Sequence, residues 1–241
     1  MTDFYENTLL GGTNLGNALV QASGSVGGYR HVFVKWQGSG KNGLIFPPIG
    51  GVLENPFKGR AKAYAGDLVE YAIDGTCKLL KTYVAQAAST TTTAYFVRDG
   101  YKHIPFVGDV LMKAPDTAAG EGQSSLVTAV ESTTNDGVNV WKVKLEVALP
   151  LAVGDILVEA KGSASVNGIA PLVQNPNAYL ACDYDFAYDP TNIDDFYDGA
   201  KYLINPCIAS EDVKLIISQM SPLPAYVKAM NKSLVDGWFN L

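Results

Sequence analysis

The chain has 241 residues, 47% of them hydrophobic and only 17% charged, against about 25% charge in an average soluble domain. That length suits one large β domain or a core with appendages, and so few charges leave Ser, Thr, Asn, Gly or neighbouring chains to cover the surface. A net charge of −6 without any basic run excludes the clustered Lys and Arg that phosphate binding needs, so no direct nucleic-acid partner is expected.

Residues 1–60 read as an extended Gly/Pro-rich arm. Met1-Thr2-Asp3-Phe4-Tyr5-Glu6 has no basic stretch leading into an apolar one, so no secretory signal is expected. Gly11-Gly12-Thr13-Asn14 and Ser23-Gly24-Ser25-Val26-Gly27-Gly28 are loop-like, and His31 to Trp36 is the one convincing strand. Phe46-Pro47-Pro48 and Asn55-Pro56-Phe57 then break regular structure. An arm that keeps Trp36, Phe46 and Phe57 is too apolar for simple disorder and is expected to order against another surface, with these aromatics as interface candidates.

Residues 61–182 read as an antiparallel β-barrel or sandwich core. Short β-branched and aromatic runs, such as Asp67 to Ile73, Cys77 to Val84, Thr90 to Arg98 and Asn139 to Val147, alternate with turns, and Asp74-Gly75 and Asp136-Gly137 are hairpin signals. The period of two places Trp141, Val143, Leu145 and Val147 on one buried face. Val107-Gly108-Asp109-Val110-Leu111-Met112-Lys113-Ala114 recurs in frame as Val153-Gly154-Asp155-Ile156-Leu157-Val158-Glu159-Ala160, with Gly66-Asp67-Leu68-Val69 as a looser third copy. The phrase implies a tight turn that delivers the chain into a strand, with Gly taking unusual dihedrals and Asp bonding nearby backbone.

Residues 183–241 form an acidic-aromatic segment followed by helix-compatible sequence. The acidic excess lies in this half of the chain: residues 121–241 hold 7 Lys and Arg against 15 Asp and Glu, whereas residues 1–120 hold 11 against 9. Ser210 to Met220 has an N-capping Ser, early acids and a Pro-rich stop, which predicts a helix. A second helix is predicted from about Ala225 to Asp236, with Tyr226, Met230, Leu234 and Trp238 as its apolar stripe and Trp238 as a further interface candidate.

Chemistry is sparse. His31 and His103 have no acid or Cys in metal-ligand spacing, and no Gly-x-Ser-x-Gly elbow marks a nucleophile. Gly38-Ser39-Gly40-Lys41-Asn42-Gly43 fits a bare G-x-G-x-x-G, but Leu44-Ile45-Phe46-Pro47-Pro48 cannot open the helix a pyrophosphate needs. Cys77, Cys182 and Cys207 read as reduced thiols of a cytoplasmic product, and no apolar run approaches the ~20 residues of a membrane span. The cluster Asp183, Asp185, Asp189, Asp194, Asp195 and Asp198 is interleaved with Tyr184, Phe186, Tyr188, Phe196 and Tyr197. It could be an irregular Ca²⁺ loop, a carboxylate pair for glycoside hydrolysis, a sugar platform, or else a solvated acidic turn region or an interface in which the aromatics give contact area and Asp steers a basic partner. The last reading is preferred; no cofactor, metal or catalytic residue is expected.

The Gly-Asp-aliphatic openings of short strands, with Ala- and Thr-rich linkers between them, resemble the small β-barrel decoration and head-fibre proteins of tailed-bacteriophage virions. The stretch from Lys58 to Tyr71 and the two Val-Gly-Asp phrases carry the likeness, over about half of the chain. The resemblance implies a non-enzymatic, homo-oligomeric protein that assembles in the host bacterial cytoplasm and binds the major capsid protein or other virion proteins. A carbohydrate-binding or adhesive module and a neck or tail component are the alternatives.

Overall fold

The computed structural model describes residues 20–23, 29–35, 44–45, 50–54, 56–59, 61–98, 103–162, 168–180, 183–186, 201–204, 206–209, 213–217, 220–231 and 234–235. The first strands are β1 (Val20–Ser23), β2 (Tyr29–Lys35), β3 (Leu44–Ile45), β4 (Gly51–Glu54), β5 (Lys62–Ala63), β6 (Leu68–Tyr71) and β7 (Thr76–Leu79). The next six are β8 (Thr82–Val84), β9 (Thr93–Val97), β10 (Val110–Lys113), β11 (Ser124–Asn135), β12 (Val138–Leu145) and β13 (Ile156–Glu159). Then come β14 (Ala178–Leu180), β15 (Tyr184–Asp185), β16 (Lys201–Ile204), β17 (Pro206–Ala209), β18 (Val213–Ile216), the helix α1 (Ala225–Met230) and β19 (Leu234–Val235). The chain is mainly β, as its turn punctuation predicts, and among the described residues no helix is long and apolar enough to cross a membrane.

Strands β8 to β13 form one antiparallel sheet in the order β8-β13-β10-β11-β12-β9. It curls until its edge strands meet through the Ala85–Phe96 bridge. Tyr83, Phe96, Leu111, Val127, Val143, Leu145 and Leu157 fill the interior. The registers reveal a pseudo-two-fold axis. In β10–β11 the pairs are Val110 with Leu126, Leu111 with Ser125 and Met112 with Ser124; in β13–β8 they are Ile156 with Val84, Leu157 with Tyr83 and Val158 with Thr82. Met112 faces Val158 across β10–β13, and Ala94 faces Val143 across β9–β12. One operation therefore exchanges β8-β9-β10 with β11-β12-β13, and the recurrent phrase of the sequence marks equivalent strands.

The phrase itself is a turn closed in both directions. At Tyr64–Asp67, Phe106–Asp109 and Ala152–Asp155 the last N–H donates to the first carbonyl, at 2.9, 3.1 and 3.2 Å. The Asp carboxylate accepts from the first N–H in return, at 2.6, 2.9 and 2.8 Å. The third residue is Gly66, Gly108 or Gly154, with φ of 81, 92 and 83°, as a type II turn requires. Each Gly N–H and Asp carbonyl then docks on a neighbouring strand, at Leu180, Val127 and Ala85 respectively.

A seven-stranded sheet, β16-β4-β7-β6-β14-β17-β3, stands beside this barrel, and a four-stranded one runs β1-β2-β18-β19. In β6 successive side chains alternate faces: Leu68 enters a core with Met112, Val158, Tyr179, Leu215 and Tyr226, while Val69 enters another with Leu53, Phe57, Leu180 and Phe186. Strands of the expected arm pair within the chain, β2 with β18, β3 with β17 and β4 with β16 and β7. The expected divisions near residues 60 and 182 thus fall inside shared sheets.

Three local expectations are corrected. The helix over Ser210 to Met220 is replaced in its middle by β18, whose Val213-Lys214-Leu215-Ile216 run pairs with β2; β-branched residues suit a strand, and tertiary pairing outweighs the capping signal. The second helix is six residues long, with Tyr226 buried, Met230 45% exposed and Leu234 already in β19. Val147 lies past the end of β12 and is exposed, whereas Val143 and Leu145 are buried as the alternation predicts.

Candidate functional site

Among the described residues, a connected set of ionisable groups lies where β7 leads into β8, between the seven-stranded sheet and the barrel. Lys81 is wholly buried there. Its ammonium has three protons and finds three acceptors: the Pro56 carbonyl at 2.6 Å, Glu159 Oε1 at 2.7 Å and Asp109 Oδ1 at 3.4 Å. It also stands 5.4 Å from the centre of the Phe57 ring. Asp109 Oδ2 accepts from the Phe106 N–H at 2.9 Å and the Tyr83 hydroxyl at 3.4 Å. The turn that delivers β10 into the barrel thus supplies an acid to this joint.

Asp67, from the turn before β6, supplies another. Its Oδ1 accepts from the Ser221 hydroxyl at 2.5 Å, and its Oδ2 meets His103 Nε2 at 3.0 Å. His103 Nδ1 accepts the Thr82 N–H at 3.0 Å, which leaves Nε2 as the ring nitrogen that carries a proton toward Asp67. Burial drives the Glu159 carboxyl above its ordinary value; Lys81 opposes the rise and Asp109 adds to it. Tyr83 is held well above the usual phenol range by burial, then by Asp109 and Glu159.

Ser, His and Asp meet here in the wrong order for nucleophilic catalysis. A triad needs the imidazole between hydroxyl and carboxylate, whereas Asp67 stands between Ser221 and His103. Both ring nitrogens are engaged and the imidazole is fully enclosed. Among the described residues no group of three or more His, Cys, Asp or Glu is placed to hold a metal ion. Burial pushes the Cys77 thiol up to about 11, which keeps it protonated and unreactive.

Of the interface candidates, Phe57 is corrected. Its ring is 1% exposed and packs against Phe106, Phe186, His103 and Lys81 inside the protein, because Pro56 ties the segment to Lys81. Tyr184 is half-buried against the same core, so it does not stand free as a sugar platform. Trp36, Phe46, Tyr188, Phe196, Tyr197 and Trp238 lie outside the described residues. Sequence reading takes Asp67 and Asp109 as turn acids that bond nearby backbone, which they do, but passes over their second role here and over Lys81, Glu159 and Ser221 as site residues. The available signals are a lone Lys within the apolar run Leu79 to Val84 and the acid common to the three turns.

The surface offers a different character. Ile73 at the β6–β7 tip is fully exposed, and Val107 and Val153 project from the second position of their turns at 56% and 70% exposure. A cleft of about 260 Å³ is lined by Lys113, Glu121, Gln123 and Pro150, and one of about 240 Å³ by Leu53, Cys77, Leu79 and Glu159. The pseudo-two-fold relates them, since Lys113 is equivalent to Glu159 and Glu121 to Leu79. No protein-family model, curated protein or solved structure matches the chain.

Proposed function

We propose that this chain is a non-enzymatic structural protein of a tailed-bacteriophage virion, a decoration or auxiliary protein of the capsid or the capsid-attached part of a head fibre. The observation that carries the reading is the division of labour among side chains. Asp67, Lys81, His103 and Asp109 are enclosed and, with the partly exposed Glu159, engaged in holding two sheets together, while apolar Ile73 and Val153 project at turn tips. Such knobs gain free energy by inserting into a partner's surface. The resemblance of the Gly-Asp-aliphatic strand openings to virion barrels supplies the kind of partner, the major capsid protein or another virion protein, with a homo-oligomer as the working unit.

Co-sedimentation with purified capsids tests this. The wild-type chain should pellet with the particles, and Val153→Asp together with Ile73→Asp should weaken retention while leaving the thermal melt unchanged. A chain that stays in the supernatant with every particle tried overturns the reading.

A further inference from the structure

We infer that Glu159 and Asp109, holding Lys81 between them, form a proton-sensitive clamp that tightens the joint between the barrel and the seven-stranded sheet as the pH falls. The inference stands on the geometry of the joint and holds whatever partner the chain has.

The pseudo-two-fold supplies the comparison that exposes the clamp. At one end of the barrel the strand-opening acid, Asp155, pairs with Lys113 at 2.9 Å, near solvent. At the other end the equivalent of Lys113 is Glu159, so the strand-opening acid Asp109 faces a second acid. Lys81 is interposed between the two, 2.7 Å from one and 3.4 Å from the other. Its own equivalent, Gln123, is uncharged and reaches the Ala148 carbonyl at 3.0 Å, just as Lys81 reaches Pro56. One end therefore pairs one acid with one ammonium, while the other sets two carboxylates, Asp109 enclosed and Glu159 at the cleft wall, against the single buried ammonium of Lys81.

The surroundings decide which acid takes a proton. Asp109 has the Phe106 N–H and the Tyr83 hydroxyl as donors besides Lys81. Glu159 faces Lys81, with Asp109 and His103 also acting on it, and it helps in turn to hold the Tyr83 phenol up. Lys78 and the protonated Cys77 line the same cleft from β7, and Asp67 lies behind His103. Glu159 is thus the weaker-held charge, and its proton removes the repulsion with Asp109 while Lys81 keeps Asp109 and Pro56 as acceptors. A carboxyl whose folded value lies above its unfolded one takes up its proton preferentially in the closed state, so stability rises as pH falls through the folded value and levels off below the unfolded value.

Side-chain carboxyl ¹³C titration of the full wild-type chain reads the proton directly. Glu159 should titrate with a midpoint above the 4.5 of an ordinary Glu. The Thr82 amide, which donates to His103 within the joint, should exchange with solvent more slowly at pH 5.5 than at pH 8 once intrinsic rates are corrected, about ten-fold for each unit by which the Glu159 midpoint exceeds 5.5. In Glu159→Gln the exchange at pH 8 should already be slow and its pH dependence flat. A Glu159 midpoint at or below 4.5 overturns the clamp, as does pH-dependent exchange that survives in Glu159→Gln. Exchange that speeds up on acidification also overturns it, because the joint then opens as the pH falls.

Discussion

At one end of the barrel Asp109 is shut in with Lys81, Glu159 and Tyr83; at the other Asp155 accepts the Ala152 N–H and Lys113, with the lysine 56% exposed. Both acids close the same kind of turn, follow a glycine with φ near 90° and open strands paired in the same register. What differs is what the rest of the chain lays over them. Pro56 and Phe57 cover the first end and bring it against the seven-stranded sheet, and in that dry setting an acid needs a full set of donors. The second end meets water, which serves the same purpose at little cost. Backbone geometry is what the two repeats share, and charge is what they are free to change.

Removing the cation at each end should separate them most sharply. Lys81→Met leaves the enclosed Asp109 carboxylate and its neighbour Glu159 without a counter-ion and should cost about 3–5 kcal/mol in chemical denaturation. Lys113→Met should cost at most about 1 kcal/mol, as exposed pairs do. Equal losses would break the comparison.

The turn glycines should differ less. Gly154→Ala places its Cβ in open space, so its cost is the left-handed backbone alone, about 1–2 kcal/mol. Gly108→Ala carries the same strain and also meets Lys58 Nζ at 2.6 Å, which must give up its bond to the Gly108 carbonyl. It should therefore be the more destabilising of the two, and a milder Gly108→Ala melt would count against the covered-end description.

The smallest expected effect is a pH slope of opposite sign at the open end. Burial tends to raise Asp155, but the Ala152 N–H and Lys113 outweigh it and hold the carboxyl below its ordinary value. A lowered folded value gives stability above the unfolded value of 3.8 that is lost as pH falls through the folded one. Asp155→Asn should be slightly less stable than wild type at pH 7, with the difference closing in acid. A difference that grows in acid would contradict the assignment.

The turns and the alternating strands of residues 61–182 are legible in the sequence because their causes are local. Gly108 and Gly154 must be glycine, and Asp136-Gly137 turns with φ of 49 and 77° at the tip of the β11–β12 hairpin. The joint is not legible, because Lys81 draws its partners from positions 25, 28 and 78 residues away, at Pro56, Asp109 and Glu159. Ser210 to Met220 misleads for the same reason: its local helix signal is real, but pairing of Val213 and Leu215 with Lys35 and Phe33 of β2 takes the segment. Phe57 looks like a free aromatic until Pro56 is seen to be tied to Lys81.

The central claim, that this chain works by packing onto other proteins, is tested most directly by its molar mass in solution, measured by light scattering alone and then with virion particles added. A discrete oligomer that transfers onto the particles is the predicted result. A strict monomer that ignores every particle would contradict it.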